Sequence, residues 1–463
     1  MIVCKFGGSS ISNVKNIEQI KEILFFKLKE EHKKILAVFS ASGKTTNKLI
    51  LIGQKASQQL LDYNTILQEV IDYHQQLSQD LKIISEPNFQ EQLNNIFQTI
   101  QDTVLGIYYL QEMTPKTQDY LMSQGEKLSA LIMFTYLNKD LIIKDNNLQI
   151  KFYDSTEYLI TDNHYGQAKI NFNITQKNIS TIQNDNFNLA ICSGFIAQNY
   201  SGQITTIGRG GGDYSAAIYG ANLSALRVEI WTDVNGIMTS NPKNIPEALS
   251  IEYLSYQEMM ELSHFGANVI YTPTIIPLFK QRIPIVVKNT LCPTNPGTEI
   301  GYESRASKYL ATAITSLDKI VLIKISGDYL IGRIGFSQNL FNVLSSSNIN
   351  IIMISQSSCE YSMYLVINHQ DLHIAKSQLN EIYQSSIENE EMKIEFLQEK
   401  SLLAIETNNP LNITPLMLII YNILNQQQTT IYTQNTSDHN ICFIIDKDKL
   451  LNIHQLIHQK IFS

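Results

Sequence analysis

The chain has 463 residues, 44% hydrophobic and only 17% charged, which is enough apolar material for roughly two to four globular domains. Its formal net charge of -8 argues against a general nucleic-acid binder, so an anionic ligand would need locally placed positive groups. Five scattered cysteines without a Cys-x-x-Cys pair, no signal-peptide pattern and no membrane-length apolar run indicate a cytoplasmic protein that binds no membrane and has no cysteine-based metal site.

The first predicted elements form a βαβ unit. The segments IVCKF and KKILAVFSAS are strand-like, and an amphipathic helix capped by Ser12 or Asn13 lies between them. Hydrophobic strands of this kind predict a buried parallel sheet. Residues 47–137 have largely helical periodicity, and further strands are predicted at 189–195, 227–232 and 283–290.

The pattern changes after a turn-rich stretch at residues 293–300. Strand, helix and two more strands follow, and a weaker copy of the same order completes the chain. Tandem βαββ modules are typical of a ligand-sensing or dimerising region. The sequence therefore predicts an α/β protein with four parts, which are a catalytic domain at 1–298, a linker at 299–315, and two modules at 316–395 and 396–463.

The segment TTIGRGGGDYSAA, residues 205–217, places four glycines between a β-branched strand and a helix start. A flexible linker is the simplest interpretation of such a run. Strand, glycines and helix start, however, also direct backbone N–H groups at an anion. Arg209 adds a charged fork suited to carboxylate or phosphate, so this segment is a candidate anion site.

Two further clusters come from the first two predicted strands. Lys5 precedes Gly7 and Gly8, which together resemble a small phosphate cradle, although a solvated lysine at a strand end is the commoner case. The segment SASGKTTN, residues 40–47, is not a P-loop, because Val38 stands where that motif requires glycine. Its hydroxyl groups at Ser40 and Thr46 still suit a polar substrate.

The remaining clusters are SQGEKLSA, residues 123–130, and WTDVNGIMTSNPK, residues 231–243. Glu126 follows a glycine at a predicted helix start, where a plain capping acid is the alternative. The second segment is a strand end followed by a loop that contains Thr232, Asp233 and Lys243, and a surface loop is its alternative. These clusters lie at or after strand ends, where open α/β sheets bind ligands.

The sequence shows no catalytic dyad or triad. Phosphoryl transfer to a carboxylate needs no general base, because a group with a pKa near 4 is already ionised at neutral pH. Such a reaction instead requires alignment of two anions and neutralisation of the charge that develops. Lys5, Arg209, backbone N–H groups and a magnesium ion would be suitable for that task.

These segments together resemble the aspartate kinase family, which combines the amino-acid kinase fold with C-terminal ACT-type regulatory domains. The order and spacing of the motifs carry the resemblance, over KFGGSS, SASGKTTN, SQGEKLSA, GFIAQNYSGQITTIGRGGGDYSAA, WTDVNGIMTSNPK, SYQEMMELSHFGANVI, KNTLCPTNPGT and ISQSSCEYSM. The resemblance implies a largely parallel sheet between helices, with ATP-dependent phosphorylation of the side-chain carboxylate of L-aspartate. That reaction opens lysine, threonine and methionine biosynthesis.

The resemblance also implies roles for individual residues. Lys5 would lie against the transferred phosphoryl group, and Asp213 would orient Lys5 or approach magnesium. Aspartate would be bound by Ser40, Thr46, Glu126, Arg209, Gly210 and Gly212. The nucleotide would be bound by Lys5, Gly7, Gly8, Thr232, Asp233, Lys243, Asn268 and Val269.

The chain departs from the family pattern at three positions, and two of them, Gly212 and Asn268, motivate an alternative, a catalytically weak amino-acid-sensing pseudokinase. Gly212 replaces a serine, Asn268 replaces a lysine, and Lys243 replaces an arginine. The retained charges of Lys5, Glu126, Arg209 and Asp213 favour an active enzyme instead. Another member of the amino-acid kinase superfamily is disfavoured by the ACT tail, and a kinase–dehydrogenase fusion by length.

The tail is expected to form a homodimer and to bind an amino-acid effector, with threonine as first choice and lysine as second. Paired modules would cover each other's exposed sheet edges. In the alternative, its polar residues merely complete a strand. The predicted effector residues are Asn350, Ile352, Ser355, Gln356, Cys359 and Glu360.

Overall fold

The computed structural model describes residues 1–31, 34–266 and 270–463, which form two compact units. The first unit comprises Met1–Ile237, Glu252–Tyr256 and residues 270–303. The second comprises Met238–Ile251, residues 257–266 and Ser304–Ser463. Two short segments from the N-terminal part of the chain therefore fold with the C-terminal part.

The first unit contains a sheet of eight strands, counted over the described residues, and a smaller sheet of three. Its strands are β1 (Ile2–Phe6), β2 (Ile35–Phe39), β3 (Ile150–Tyr153), β4 (Ile160–Thr161), β5 (Leu189–Ser193), β6 (Ile196–Asn199), β7 (Ile204–Thr206), β8 (Val228–Thr232), β9 (Tyr253–Ser255), β10 (Ile285–Asn289) and β11 (Thr298–Gly301). The large sheet has the order β3-β5-β2-β1-β8-β10-β11-β9 and is parallel except between β10 and β11. The predicted, largely parallel sheet is confirmed.

Helices follow most of these strands. They are α1 (Val14–Lys29), α2 (Thr45–Ser57), α3 (Tyr63–Asp80), α4 (Phe89–Leu110), α5 (Pro115–Lys144), α6 (Ser155–Tyr158), α7 (Phe172–Gln183), α8 (Gly211–Asn222), α9 (Tyr256–His264) and α10 (Thr272–Gln281). Except for its first residue, α9 belongs to the second unit. Asn13 caps α1, since its side chain accepts a hydrogen bond from the Asn16 backbone N–H. None of the helices in the described part of the chain has the length and apolar character required to cross a bilayer.

Side-chain alternation along β1 determines on which face of the sheet Lys5 lies. Ile2, Cys4 and Phe6 are buried in a core shared with side chains of α1–α5. Val3 and Lys5 point to the opposite face, because successive side chains of a strand alternate. On that face Lys5 meets α8 at Asp213. The apolar strand pattern thus directs one lysine toward the start of a helix.

The second unit contains two βαββ modules that share one antiparallel sheet. Its elements are β12 (Ala313–Ser326), α11 (Phe336–Ser346), β13 (Ile351–Gln356), β14 (Ser362–Asn368), α12 (Leu372–Ile382), α13 (Gln384–Glu388), β15 (Lys393–Glu406), α14 (Ile413–Gln426), β16 (Thr433–Thr436), β17 (Asn440–Asp446) and α15 (Lys447–Phe462). The strand order is β13-β14-β12-β15-β17-β16, with the long strands β12 and β15 paired at the centre. The predicted tandem modules are confirmed.

Candidate active site

An ion pair at the end of β1 forms the centre of the site. Lys5 Nζ lies 2.5 Å from Asp213 Oδ1, and the two side chains are 13% and 12% exposed. Asp213 stands in the first turn of α8, where the helix dipole favours a carboxylate. The aspartate therefore fixes the lysine ammonium at the carboxyl edge of the parallel sheet.

Close atomic contacts and positive φ angles explain why residues 208–212 include four glycines. Gly208 and Gly210 have φ angles of +78° and +69°, which other residues adopt only under strain. A Cβ on Gly212 would lie 2.7 Å from Ser40 Oγ and 3.1 Å from Lys5 Cε. A serine at residue 212 would therefore require Ser40 to move, so glycine here matches the local packing.

The start of α8 provides the anion-binding geometry that the sequence predicts. Gly210 is the N-cap residue, and the N–H groups of Gly212 and Asp213 in the first turn have no intrahelical acceptor. Arg209, immediately before the cap, is exposed. Its side chain makes no hydrogen bond or ion pair with any described residue, which leaves the guanidinium available to an anionic ligand.

Glu126 does not stand at a helix start, so that prediction is wrong. It lies in the middle of α5, which begins eleven residues earlier at Pro115. The preceding glycine is inside the helix because α2 packs closely there. A Cβ on Gly125 would lie 3.2 Å from Thr45 Cγ2 and 3.3 Å from Ala41 Cβ. A glycine that marks a helix–helix contact thus resembled a helix boundary in the sequence.

The environment of Glu126 changes its chemistry. The residue is 3% exposed, and its Oε2 atom has no hydrogen-bond partner among the described residues. Burial raises the pKa of this carboxyl to about 8, although the positive charge of Lys5 and a hydrogen bond from the Ala41 backbone act in the opposite direction. A buried acid that is protonated in isolation would become a carboxylate when a ligand ammonium approaches it.

The loop after β2 packs directly against the loop after β1. A Cβ on Gly8 would lie 2.6 Å from the Ala41 carbonyl oxygen, and the Gly43 N–H donates to the Gly8 carbonyl at 2.9 Å. Ser40 follows β2 directly, and Thr46 is half-buried in the first turn of α2. The Gly7 N–H donates to the Trp231 carbonyl at 3.2 Å, which ties this loop to β8.

The residues predicted for the nucleotide are distributed over both units. Thr232 ends β8, and its hydroxyl donates to Asp233 Oδ1 at 3.2 Å. Lys243 is exposed and belongs to the second unit. Asn268 and Val269 lie outside the described residues.

Sequence reasoning missed two residues that shape the site. Asp119 is buried in α5 and accepts hydrogen bonds from the Gly166 N–H, the Thr206 N–H and the Thr206 hydroxyl, at 2.9, 2.9 and 2.7 Å. It thus anchors β7, the strand before the glycine run. Phe195 has a φ angle of +69°, and a Cβ on Gly211 would lie 2.7 Å from its ring. Asp119 lies two helical turns before Glu126, and this spacing was the sequence signal that could have identified Asp119.

The predicted effector residues extend from Asn350, just before β13, to Glu360 in the loop after it. Gln356 and Glu360 line a cavity of about 280 Å³ together with Arg333, Gly335 and Phe336 at the start of α11. Ile352 lines a different cavity of about 350 Å³, and Cys359 is exposed. Asn350 and Ser355 line neither of these two cavities.

Comparison with known proteins adds family information to this geometry. Residues 1–289 match the amino acid kinase family, and residues 323–383 match an ACT domain. The whole chain aligns with a bifunctional aspartokinase/homoserine dehydrogenase from Haemophilus influenzae at 29% identity, and the alignment covers 57% of that protein. It aligns with aspartokinase 1 from Arabidopsis thaliana at 26% identity, and the alignment covers 80% of that protein. The chain therefore spans little more than half of the bifunctional relative. Aspartokinase III from Escherichia coli, solved with aspartate and ADP, superposes over the full length of both chains with a TM-score of 0.84 at 23% identity, which confirms the fold.

Proposed function

The chain belongs to the amino acid kinase family, and from that premise we propose that it transfers the γ-phosphoryl group of ATP to the side-chain carboxylate of L-aspartate. The product would be 4-phospho-L-aspartate, the first intermediate toward lysine, threonine and methionine. One observation carries the proposal, namely the Lys5–Asp213 ion pair beside buried Glu126 at the open start of α8. The aspartokinase names of the relatives agree with it.

The proposed roles follow from charge and position. Glu126 would bind the substrate ammonium, because this buried carboxyl lacks a partner on one oxygen. Arg209 would bind a substrate carboxylate through two parallel hydrogen bonds. The nucleophilic carboxylate needs no base, so Lys5 would act by stabilising charge on the transferred phosphoryl oxygens, held in place by Asp213.

Magnesium would enter with ATP in this proposal. The described residues contain no group of three or more His, Cys, Asp or Glu side chains arranged to hold a metal ion. Mg²⁺ bound through nucleotide phosphates requires only one or two protein carboxylates, and Asp213 is the carboxylate in the cluster that suits this chemistry. When bound, the ion would neutralise phosphate charge.

ATP turnover with a panel of acids tests the substrate assignment. We expect ATP consumption with L-aspartate and little with L-glutamate, whose side chain is one methylene longer. Faster turnover with L-glutamate would contradict the assignment. Absence of turnover with every acid would favour the amino-acid-sensing alternative.

The buried carboxyl of Glu126 gives a pH prediction. Its pKa is raised to about 8 without substrate, and a bound ammonium would lower it, so aspartate binding would release a proton. The KM for aspartate should therefore fall as pH rises from 6 to 8, by up to about tenfold per pH unit for a single proton. Steady-state kinetics across this range test the trend.

Glu126→Gln removes the titrating group, so it should raise this KM and flatten its pH dependence. Glu157→Gln, a change at an exposed residue of α6, is the matched control and should retain the wild-type profile. A Glu126→Gln profile that keeps the wild-type slope would assign the titration to another group.

We propose that the second unit binds an amino-acid effector and forms a homodimer. The cavity beside Gln356 and Glu360 offers Arg333 and the start of α11 to the carboxylate of an effector.

Two features support the homodimer. The apolar side chains of Ile331, Ile334 and Tyr361 are exposed close to one another in the sequence, and β13 is an edge strand. Calorimetric titration of the full chain with threonine and lysine tests effector binding, and light scattering tests the dimer. No heat with either amino acid would contradict effector binding, and a monomer in light scattering would contradict the homodimer.

A further inference from the structure

Asp119 is a fully buried acid of the first unit to which the proposed mechanism gives no role. Its Oδ2 atom accepts hydrogen bonds from the N–H groups of Gly166 and Thr206, and its Oδ1 atom accepts one from the Thr206 hydroxyl. Burial raises the pKa of this carboxyl, and these hydrogen bonds act in the opposite direction. No cation among the described residues pairs with it, so its contacts are three donors and not an ion pair.

The three donors come from two backbone segments that meet at Gly208. Thr206 ends β7, two residues before Gly208. The other segment packs against the same glycine, because a Cβ on Gly208 would lie 3.5 Å from the Gly166 carbonyl oxygen. Asp119 therefore fixes both segments that hold Gly208, and Arg209 is the next residue in the chain.

The helix that carries Asp119 also carries Glu126. Helix α5 is continuous from Pro115 to Lys144. Residues seven apart lie on one face of a helix, about 10 Å from each other along its axis. The separation of the two carboxyl groups along α5 is thus fixed by the helix itself.

The start of α8 has support that does not depend on Asp119. The Phe195 N–H donates to Ser215 Oγ at 3.0 Å, and a Cβ on Gly194 would lie 2.9 Å from Gly212 Cα. Asp119 takes part in neither contact. Loss of its carboxyl should therefore displace the arginine before the helix more than the first turn of the helix.

We propose that Asp119 is a positioning residue that holds Arg209 at the distance from Glu126 that one aspartate molecule requires. The proposal rests on the proposed function, which assigns Glu126 to the substrate ammonium and Arg209 to a substrate carboxylate. One helix would then determine the position of both groups, the first through its own side chain and the second through Thr206 and Gly166. A misplacement of about 1 Å in such a site can cost about a hundredfold in rate.

Leucine and asparagine at residue 119 separate the hydrogen bonds from the charge. Asp119→Leu leaves three buried donors without an acceptor, so it should raise the KM for aspartate by roughly ten- to a hundredfold. The KM for ATP should change by about twofold at most. Asp119→Asn can accept both N–H groups through its oxygen and donate to the Thr206 hydroxyl through its nitrogen, so both KM values should stay near wild type. Asp102→Leu, at an exposed position of α4, is the control.

A double-variant comparison tests whether Asp119 acts through Arg209. In an Arg209→Ala background, Asp119→Leu should raise the KM for aspartate by about twofold at most, because the group that it positions is already absent. Effects that multiply would show that the two residues act independently and would overturn the proposal.

Thr206→Val provides a second variant that keeps the shape of the strand. It removes only the hydroxyl contact to Asp119, so the KM for aspartate should rise by a smaller factor than in Asp119→Leu, again with little change for ATP. If Asp119→Leu does not fold, this variant decides the question. A wild-type KM for aspartate in the deciding variant, or an equal rise for both substrates, would overturn the proposal.

Amide hydrogen exchange gives a readout that needs no catalysis. Peptides that contain Gly166 and Thr206 should exchange faster in Asp119→Leu than in the wild type, and at nearly the wild-type rate in Asp119→Asn. Unchanged exchange in Asp119→Leu would also overturn the proposal. Faster exchange in this variant of a protein whose wild type phosphorylates no acid would count against the proposed function alone.

Discussion

Lys5→Ala is expected to lower kcat by roughly a thousandfold, which is the usual cost of removing a group that stabilises transition-state charge. The KM for aspartate should change much less, because the charge on the phosphoryl oxygens grows only as the transition state forms. Lys5 suits this role because Asp213, 2.5 Å away, holds its ammonium at the end of β1. Steady-state kinetics with both substrates measure the two effects separately.

Loss of Lys5 also leaves Asp213 without its cation, so stability must be distinguished from chemistry. The double variant Lys5→Ala with Asp213→Asn removes the unpaired charge and should unfold at nearly the wild-type temperature while kcat stays low. Lys15→Ala, at an exposed position of α1, is the control for losing a lysine. A kcat within a few-fold of wild type in Lys5→Ala would remove this residue from the mechanism.

Arg209→Lys is expected to cost roughly 2–4 kcal/mol of transition-state stabilisation. This loss should lower kcat/KM for aspartate, mainly through a higher KM. Lysine keeps the charge but cannot form two parallel hydrogen bonds to one carboxylate. The side chain is exposed and makes no hydrogen bond or ion pair with the described part of the protein, so thermal stability should not change.

Arg282→Lys provides a matched comparison, because Arg282 is exposed and contacts the ring of Tyr302 rather than the proposed site. It should leave both KM values at the wild-type level. If Arg209→Lys raised the KM for ATP and not the KM for aspartate, Arg209 would be assigned to the nucleotide instead.

The parts of the site that local pattern determines were predictable. Alternation of apolar residues along β1 leaves Lys5 on the face of α8, and the strand–glycine–helix order predicts the open start of α8. The tandem βαββ order likewise predicts the six-stranded sheet of the second unit. In the first two cases the signal lies within a few consecutive residues, and in the third it lies in the order of neighbouring elements.

The parts that depend on long-range packing were not predictable in the same way. Gly125 resembles a helix boundary in the sequence, yet it is a contact point between α5 and α2 that places Glu126 inside a long helix. Asp119 anchors Thr206 across 87 positions of sequence, and no local pattern shows that pairing. The hydrogen bonds between the loop around Thr239 and α15 were unpredictable for the same reason, because the partners on α15 are more than 200 residues away in the sequence.

Trapping of the product with hydroxylamine tests the central claim most directly, because hydroxylamine converts an acyl phosphate into a stable hydroxamate. The account predicts aspartyl hydroxamate from wild-type protein only when ATP, magnesium and L-aspartate are all present, and almost none from Lys5→Ala. Folded wild-type protein that forms no hydroxamate at saturating substrates would contradict the account and would favour the amino-acid-sensing alternative.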